Sequence, residues 1–279
     1  MLYLQTHATS PGREPCRLTP ASLKLCRVVN GVLLRKNPDT VSNPTKTPQF
    51  SLDIYFMNGF KNLILSPLLQ TGVIHRYSGL HLARPESVSD HTCQVGILAT
   101  IIASECVKRG CKVDLGKVAL YALVHDFDEA LTGDIPRNIK YFYPELRDLL
   151  GQVAAIAIET LTKQLDLPSL KDLWHQSKTE GIEGFIVLLA DTLQCVKKLV
   201  EEVEILGNLY MLRIALELQE HVEMLEKHID DFITCDDLGC KQFIFDLLGD
   251  AINLIKKIRT DNDTNIKELG IDKLKFTSG

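Results

Sequence analysis

The chain has 279 residues, of which 45% are hydrophobic and 24% charged, the composition of an ordinary soluble globular protein. A formal net charge of −5 argues against a protein that binds nucleic-acid polymers or anionic membranes, because both partners require a basic surface. No uninterrupted apolar run reaches the roughly 18 residues that a membrane-spanning helix needs. The eight cysteines show neither a CxxC pair nor zinc-finger spacing, which favours reduced thiols and a cytoplasmic location over a disulfide framework.

Residues 1–56 form an N-terminal extension that differs from the rest of the chain. It holds six of the eleven prolines and more basic than acidic residues, and only residues 21–34 are predicted to form a short helix. A flexible arm, a targeting segment and sequence upstream of the natural start are the competing interpretations. Because regular helical patterning begins at Met57, we favour a flexible or non-native extension and expect no catalytic role for it.

From Met57 onward the pattern is helix after helix, without strand-like alternation and hairpin turns. We therefore expect an all-α core over residues 57–260, followed by a C-terminal tail at 261–279. A short helical turn is predicted at 128–136, where Gly133 and Pro136 break the pattern. The longer predicted helices cover about 59–71, from a Ser87 or Ser89 cap to 109, from an Asp114 cap to 126, and then 144–165, 180–206, 208–234 and 240–259.

Four residues that can ligate a metal interrupt apolar helical stretches. His91 opens one stretch, the adjacent pair His125 and Asp126 ends the next, and Asp191 lies in the middle of a third. Burying an ionised carboxylate or an unpaired imidazole is costly unless something compensates it, and one shared divalent cation would compensate all four. Imidazole and carboxylate ligands suit a transition metal such as Mn, Co, Zn, Fe or Ni better than calcium.

Each of these residues also has a purely structural interpretation. A single buried histidine is more often hydrogen-bonded to backbone than bound to a metal. Asp191 could pair with Lys197 or Lys198, although these lie six and seven positions further on, beyond the reach of an i,i+4 pair. Taken together on three helices, the four residues favour a metal site and hence a metal-dependent hydrolase.

The strings RPESVSDHTCQV, YALVHDFDEALTGDIPRNIKYF and VLLADTLQCVKKLVEEV closely resemble the HD-domain phosphohydrolases, and most of all the bacterial 5′-deoxynucleotidase (YfbR-like) branch. The resemblance covers about residues 60–215. It implies an all-α HD-domain fold and hydrolysis of nucleoside 5′-monophosphates, preferably deoxy, to nucleoside and phosphate. It also implies that one divalent metal is bound by His91, His125, Asp126 and Asp191.

The same resemblance implies roles for neighbouring residues. Glu129 and Asp134 would be catalytic acids beside the attacking water, and Arg76 and Lys140 would contact the substrate phosphate. The structural alternatives are that Glu129 only caps a turn and that Lys140 is a solvated surface lysine. Tyr77 stands where this branch usually has an indole that helps to exclude a 2′-hydroxyl, so a preference for deoxyribose is expected but less secure.

Two other functions compete with a monophosphatase. A dNTP triphosphohydrolase would need further cations near the pocket, for which Arg84 and Arg137 are candidates. A non-catalytic nucleotide-binding HD module is the alternative from another class. Related proteins form homodimers, and the amphipathic stretch 210–233 could serve as the interface here, although such a stretch is more often a core-packing helix.

Overall fold

The computed structural model describes residues 26–29, 32–35, 63–140, 144–179, 181–233 and 238–271. By its internal contacts the chain divides into two compact units, Met1–Leu52 and Asp53–Gly279. The helical core and the candidate site lie in the second unit. Most of the N-terminal extension, including the predicted flexible arm, and residues 272–279 of the predicted tail lie outside the described residues.

The first unit contains an antiparallel β-hairpin, so the prediction of a helix over residues 21–34 was wrong. Strand β1, Cys26–Val29, pairs with strand β2, Val32–Arg35, with Val29 opposite Val32. The two residues between the strands are Asn30 and Gly31, the dipeptide favoured above most others in two-residue hairpin connections. The flanking valines favour strands, and this signal outweighed the helical one.

The regular elements described in the second unit are helices, as predicted, and loops with one isolated β-bridge, His75 to Ser87, connect them. Its helices are α1 Val88–Lys108, α2 Leu115–Val124, α3 Glu129–Thr132, α4 Arg137–Lys140, α5 Pro144–Leu165, α6 Ser169–Thr179, α7 Gly181–Val200, α8 Ala215–Lys227, α9 Ile229–Phe232, α10 Leu238–Asp261 and α11 Asp263–Glu268. Two 3₁₀ segments, Pro67–Val73 and Leu209–Ile214, and a π-helical turn, Glu201–Ile205, complete the set.

Capping residues determine where the two helices nearest the site begin. The Ser87 hydroxyl accepts a hydrogen bond from Asp90 N at 3.0 Å, and the Asp90 carboxylate accepts one from Ser87 N at 3.1 Å. This reciprocal capping box starts α1 at Val88 and sets His91 in its first turn. Asp114 caps α2 by accepting from two backbone amides, which confirms the prediction for that residue.

Two predicted helices are not regular α-helices over their whole length. The segment predicted at 208–234 is a 3₁₀ segment followed by α8 and α9, and the segment predicted at 180–206 is α7 followed by the π-helical turn. The π-helical turn and the 3₁₀ segment are separated at Gly207, whose φ of 67° is a left-handed conformation. Asn208 then caps Leu209–Ile214 by accepting a hydrogen bond from Tyr210 N.

The main core brings three helices together around the site. Helix α1 packs against α2 and α7, and α8 and α10 close the far side of α7. The apolar face of the stretch 210–233 is buried in this core, which supports the core-packing interpretation over a dimer interface for that face. Its buried members are Met211, Leu212, Ala215, Leu218, Val222, Leu225, Ile229 and Ile233.

The sequence pattern did not predict helix α6 because the apolar stripe of this helix is narrow. Only Leu170, Trp174 and Ser177 on one side of it are buried, among charged neighbours. These side chains belong to or flank a second, smaller core shared with α5 and the end of α2.

Among the described residues, none of the helices combines the length and apolar character needed to cross a membrane. Cys93, Cys106 and Cys195 are free thiols.

Candidate metal centre and active site

The four predicted ligand residues meet where α1, α2 and α7 pack together. His91 lies in the first turn of α1, His125 and Asp126 follow the last residue of α2, and Asp191 lies in mid-α7. Both imidazoles are buried, whereas the two aspartates are half-buried. The histidines therefore form the floor of the site, and the carboxylates line the side that is open to solvent.

The ligand atoms of this group lie within reach of one ion. His91 Nε2 is 3.4 Å from Asp126 Oδ2, 3.1 Å from Asp191 Oδ1 and 3.4 Å from His125 Nε2. His125 Nε2 is 3.1 Å from Asp126 Oδ2. One atom from each of His91, His125 and Asp191 lies within 4.8 Å of the other two. Ligands held about 2.1 Å from one ion lie roughly 3–4 Å apart, so the spacing fits a single metal.

The other nitrogen of each imidazole is engaged, which leaves Nε2 available as a ligand. His125 Nδ1 donates a hydrogen bond to the carbonyl of Ala122 at 2.8 Å. His91 Nδ1 lies 2.8 Å from Oε1 of Gln194 and donates to it. With a proton on Nδ1, both rings direct Nε2 into the site, where it can ligate a metal that displaces any proton it carries.

The charge distribution of the group also favours a bound cation. Burial and the Arg76 charge act to lower the pKa of His91, but hydrogen bonds and ion pairing with Asp126 and Asp191 outweigh them and raise it to about 10. Burial opposes ionisation of Asp126 and Asp191, yet the two histidines hold both carboxyl pKa values well below the usual range. A site that holds a proton this strongly through two carboxylates and two imidazoles fits a divalent cation, which competes for the same lone pairs.

Arg76 lies directly behind the ligand residues. Its Nη1 donates to Glu86 Oε1 and to Gln194 Oε1, both at 3.2 Å, and is in close contact with His91 Nδ1. Its Nη2 lies 3.9 Å from Cys195 Sγ. Arg76 Nε is buried without a hydrogen-bond partner among the described residues, so the guanidinium keeps donors for a further acceptor.

Glu86 and Gln194 support the candidate site, and the sequence did not reveal either of them. The Gln194 side-chain amide donates to Glu86 Oε2 at 2.8 Å, which orients its carbonyl oxygen toward His91 and Arg76. Both residues are buried, and Gln194 lies three residues after Asp191 on the same face of α7. A buried glutamine at that spacing was the available signal, although its partner Glu86 is 108 residues away.

Tyr77 joins the arginine to the second predicted acid. Its backbone N–H donates to Asp134 Oδ2 at 2.8 Å. Its φ of 58° is a left-handed conformation that an aromatic residue adopts only at a cost, and such strain is concentrated at functional sites. The Arg76 Cζ lies 5.2 Å from the centroid of the Tyr77 ring. Burial and the nearby Cys195 thiol raise the pKa of Tyr77, so its phenol stays protonated.

Glu129 and Lys140 form a pair at the edge of the site. Glu129 is buried at the start of α3, and Lys140 Nζ lies 3.4 Å from its Oε1. Its Oε2 has no hydrogen-bond partner among the described residues. Burial, followed by the charge of Asp126, raises the pKa of Glu129 to about 8. Lys140 is therefore paired with Glu129, although its side chain is 37% exposed.

Two further residues complete the surroundings. Asp128 accepts a hydrogen bond from Trp174 Nε1 at 2.8 Å, which ties the turn after the His125–Asp126 pair to α6. Arg84, a candidate for binding a triphosphate, pairs instead with Glu201 at 2.8 Å and has a side chain that is 72% exposed. The side chain of Arg137, the other candidate, lies outside the described residues.

Comparisons with known proteins identify the family of this chain. The family described as "5′-deoxynucleotidase YfbR-like" matches residues 65–235. A 5′-deoxynucleotidase of Photorhabdus laumondii is 31% identical over 151 residues, which are 51% of this chain and 75% of that protein. The 5′-deoxynucleotidase YfbR of Escherichia coli is 31% identical over 147 residues, 50% of this chain and 72% of that protein.

Solved structures show the same fold. An HD-domain phosphohydrolase from Listeria innocua superposes with a TM-score of 0.53 at 23% identity, covering 78% of this chain and 98% of that one. A protein from Pyrococcus horikoshii gives a TM-score of 0.53 at 21% identity, covering 70% of this chain and 99% of that one. The helical fold and its set of two histidines and two aspartates define an HD-domain phosphohydrolase.

Within that class, the chain belongs to the 5′-deoxynucleotidase YfbR-like family. The predicted family, the all-α fold of the core and the predicted enzyme class, a phosphoric monoester hydrolase, are thereby confirmed.

Proposed function

We propose that this enzyme hydrolyses nucleoside 5′-monophosphates, preferably those of deoxyribose, to nucleoside and orthophosphate. The observation that carries the proposal is a buried arginine held directly against a four-residue metal-ligand group, with two acids at the rim. The names of the bacterial relatives support the substrate class. The free thiols of Cys93, Cys106 and Cys195 fit the cytoplasm as its location, and a homodimer remains a prediction for light scattering to test.

One divalent transition metal, Mn, Co, Zn, Fe or Ni, would be held by His91, His125, Asp126 and Asp191. Such an ion would supply Lewis-acid stabilisation of the phosphoryl oxygens and would make a nearby water more acidic. The remaining tasks fall to side chains of this chain. Arg76, held by Glu86 and Gln194, would direct its positive charge toward the phosphate oxygens. Lys140 adds a second positive charge near the phosphate.

The two acids divide the proton transfers. The Asp134 carboxylate, fixed by the Tyr77 amide, accepts a proton from the water that attacks phosphorus. Glu129, whose pKa is raised to about 8 by burial and the Asp126 charge in the metal-free protein, gives its proton to the sugar 5′-oxygen as the P–O bond breaks. Tyr77 lies beside Arg76 and Asp134, where its phenol would contact the sugar and discriminate at the 2′ position.

Identification of the products tests this proposal. Metal-free protein is reloaded with Mn or Co and incubated separately with dAMP, AMP and dATP, and the products are separated by chromatography. Deoxyadenosine and orthophosphate from dAMP support the proposal, and slower release from AMP supports the deoxyribose preference. Triphosphate released from dATP would reassign the enzyme to the triphosphohydrolases. The absence of turnover with either metal would favour a non-catalytic nucleotide-binding module.

Asp134→Asn separates an enzyme from a binding module, because it leaves all four ligand residues intact. We expect this variant to bind metal and nucleotide but to lose most of its turnover. Asp148→Asn, at an exposed carboxylate on α5 that pairs with the neighbouring Arg147, is the matched control and is expected to behave like the wild type.

A further inference from the structure

Arg76 and Tyr77 lie on a loop that is closed at its base. We call residues 75–87 the phosphate loop. Arg76 N donates to the carbonyl of Glu86 at 2.9 Å, and His75 forms an isolated antiparallel bridge with Ser87. The two ends of the loop therefore lie side by side at the start of α1, and the position of the intervening residues depends on what holds the tip.

A buried carboxylate on the π-helical turn holds that tip. Glu202 accepts four hydrogen bonds, from Ala83 N at 2.7 Å, Arg84 N at 3.0 Å, Lys198 Nζ at 2.8 Å and Asn208 Nδ2 at 2.6 Å. Each carboxylate oxygen receives two of them. Burial acts to raise the pKa of Glu202, but these hydrogen bonds outweigh it and lower the pKa to about 2, so the group is ionised at all working pH values.

Two other side chains extend this anchor. Lys198 Nζ also donates to the carbonyl of Arg84 at 2.6 Å, and Asn208 Nδ2 donates to the carbonyl of His81 at 2.7 Å. The side chains of Lys198 and Glu202 are 1% and 0% exposed. Lys198, Glu202 and Asn208, which we call the loop anchor, thus bind backbone groups at three residues of the phosphate loop.

Stability alone does not account for the loop anchor. A buried ion pair is often no more stabilising than apolar side chains of similar volume, because desolvation offsets the attraction between the charges. What the pair does provide is direction, since its hydrogen bonds run to particular backbone groups of the loop. Glu86, which holds Arg76 against the ligand residues, lies only two residues after Arg84.

We propose that Lys198, Glu202 and Asn208 are positioning residues for the substrate phosphate, which act by holding the phosphate loop so that Arg76 faces the ligand residues. This inference rests on the proposed function for the identity of the substrate, but not for the geometry of the anchor. It predicts that the anchor affects phosphate affinity through Arg76.

The test uses Glu202→Gln, Lys198→Met and the control Lys197→Met. Lys197 is 49% exposed and pairs with Glu201, one position from the anchor pair, so the control makes the same substitution on the same helix without touching loop backbone. The measurement is the affinity of the cobalt-loaded protein for inorganic phosphate, with the cobalt affinity determined in parallel. We expect about tenfold weaker phosphate binding in Glu202→Gln and Lys198→Met, and wild-type values in the control.

A double-mutant cycle with Arg76→Ala separates positioning from a general loss of structure. If the anchor acts through Arg76, adding Glu202→Gln to Arg76→Ala causes no further loss of phosphate affinity. Hydrogen exchange should show faster exchange at the Ala83 and Arg84 amides in Glu202→Gln, with α10 protected as in the wild type. Asn208→Ala gives a third variant should either substitution of the ion pair prevent folding.

Wild-type phosphate affinity in the folded anchor variants would overturn the inference, and so would losses that add to that of Arg76→Ala. The failure of the proposed function is a separate outcome. An absence of nucleotide turnover in the wild type would contradict the nucleotidase assignment, whereas phosphate binding and amide exchange would still decide the role of the anchor.

Discussion

Gln194 Oε1 lies 2.8 Å from Nδ1 of His91 and accepts its ring proton. Because the Gln194 amide nitrogen is fixed by Glu86, the glutamine can present only its oxygen to the imidazole. One neutral side chain on α7 thus selects the tautomer of a ligand on α1, and Asp191, three residues earlier on α7, faces the same ring. The relationship makes Gln194 part of the candidate metal centre without being a ligand.

Replacing Gln194 should weaken metal binding. Gln194→Ala removes the acceptor for His91 Nδ1–H, and loss of such a partner typically lowers metal affinity about 10- to 100-fold. Competition between the protein and a coloured chelator for cobalt measures the change. Gln164→Ala, at an exposed position of α5, is the control and should bind cobalt like the wild type. Equal affinities in both variants would show that Gln194 is only a packing residue.

Removing the metal should destabilise the protein. A ligand at 100 times its dissociation constant stabilises the folded state by about 2.7 kcal/mol, which corresponds to roughly 5–10 °C in the melting temperature of a domain of this size. We expect a chelator to lower the melting temperature of the metal-loaded wild type by that amount. Asp191→Asn should be insensitive to the chelator because one ligand is lost. A melting temperature that responds equally in both proteins would contradict the assignment of Asp191 as a ligand.

We expect deprotonation of Glu129 to produce an alkaline limb in the pH profile of kcat. Its pKa is raised to about 8, so the carboxyl is protonated at neutral pH and loses its proton as the pH rises through 8. If it protonates the leaving oxygen, kcat falls over that range. Glu129→Gln should lower kcat by about 10²- to 10⁴-fold and abolish the limb. Glu159→Gln, at an exposed surface pair, is the control. An unchanged limb in Glu129→Gln would assign the titration to another group.

Glu202 should make the stability of the fold decrease at acidic pH. Its pKa is about 2 in the folded protein against 4.5 as the ordinary value. A carboxyl with a lowered pKa contributes stability that is present above 4.5 and is lost as the pH falls toward 2. We expect the difference in unfolding free energy between wild type and Glu202→Gln to be constant from pH 6 to 8 and to shrink below about pH 4.5. Urea denaturation at pH 7 and pH 3.5, with both proteins metal-free, measures it, and a pH-independent difference would contradict the lowered pKa.

The candidate ligand residues could be predicted from the sequence because each interrupts an apolar helical run. His91, His125, Asp126 and Asp191 stand out locally, and the helix caps at Ser87 and Asp114 follow from short-range patterns. Such features depend on neighbours within one turn of helix. The structure adds their convergence, which depends on how α1 packs against α2 and α7.

The supporting residues could not be read in the same way. Gln194 and Glu86 act through a contact across 108 positions, and Glu202 reaches the phosphate loop across 119. No local periodicity encodes such pairs. The left-handed backbone of Tyr77 is also a product of tertiary contacts, since its N–H is held by Asp134. The Asn30–Gly31 dipeptide, by contrast, is a local signal for a β-hairpin, but the surrounding residues also fit a helical pattern.

The most direct test of the account is a metal titration followed by orthophosphate release from dAMP. Chelator-stripped protein receives increasing amounts of cobalt, and the rate is measured after each addition. The account predicts negligible release without metal, a linear rise to a plateau at one cobalt per chain, and no recovery for Asp191→Asn. Full activity in the stripped protein, a plateau at two metals per chain, or a normal titration of Asp191→Asn would contradict the single metal centre formed by α1, α2 and α7.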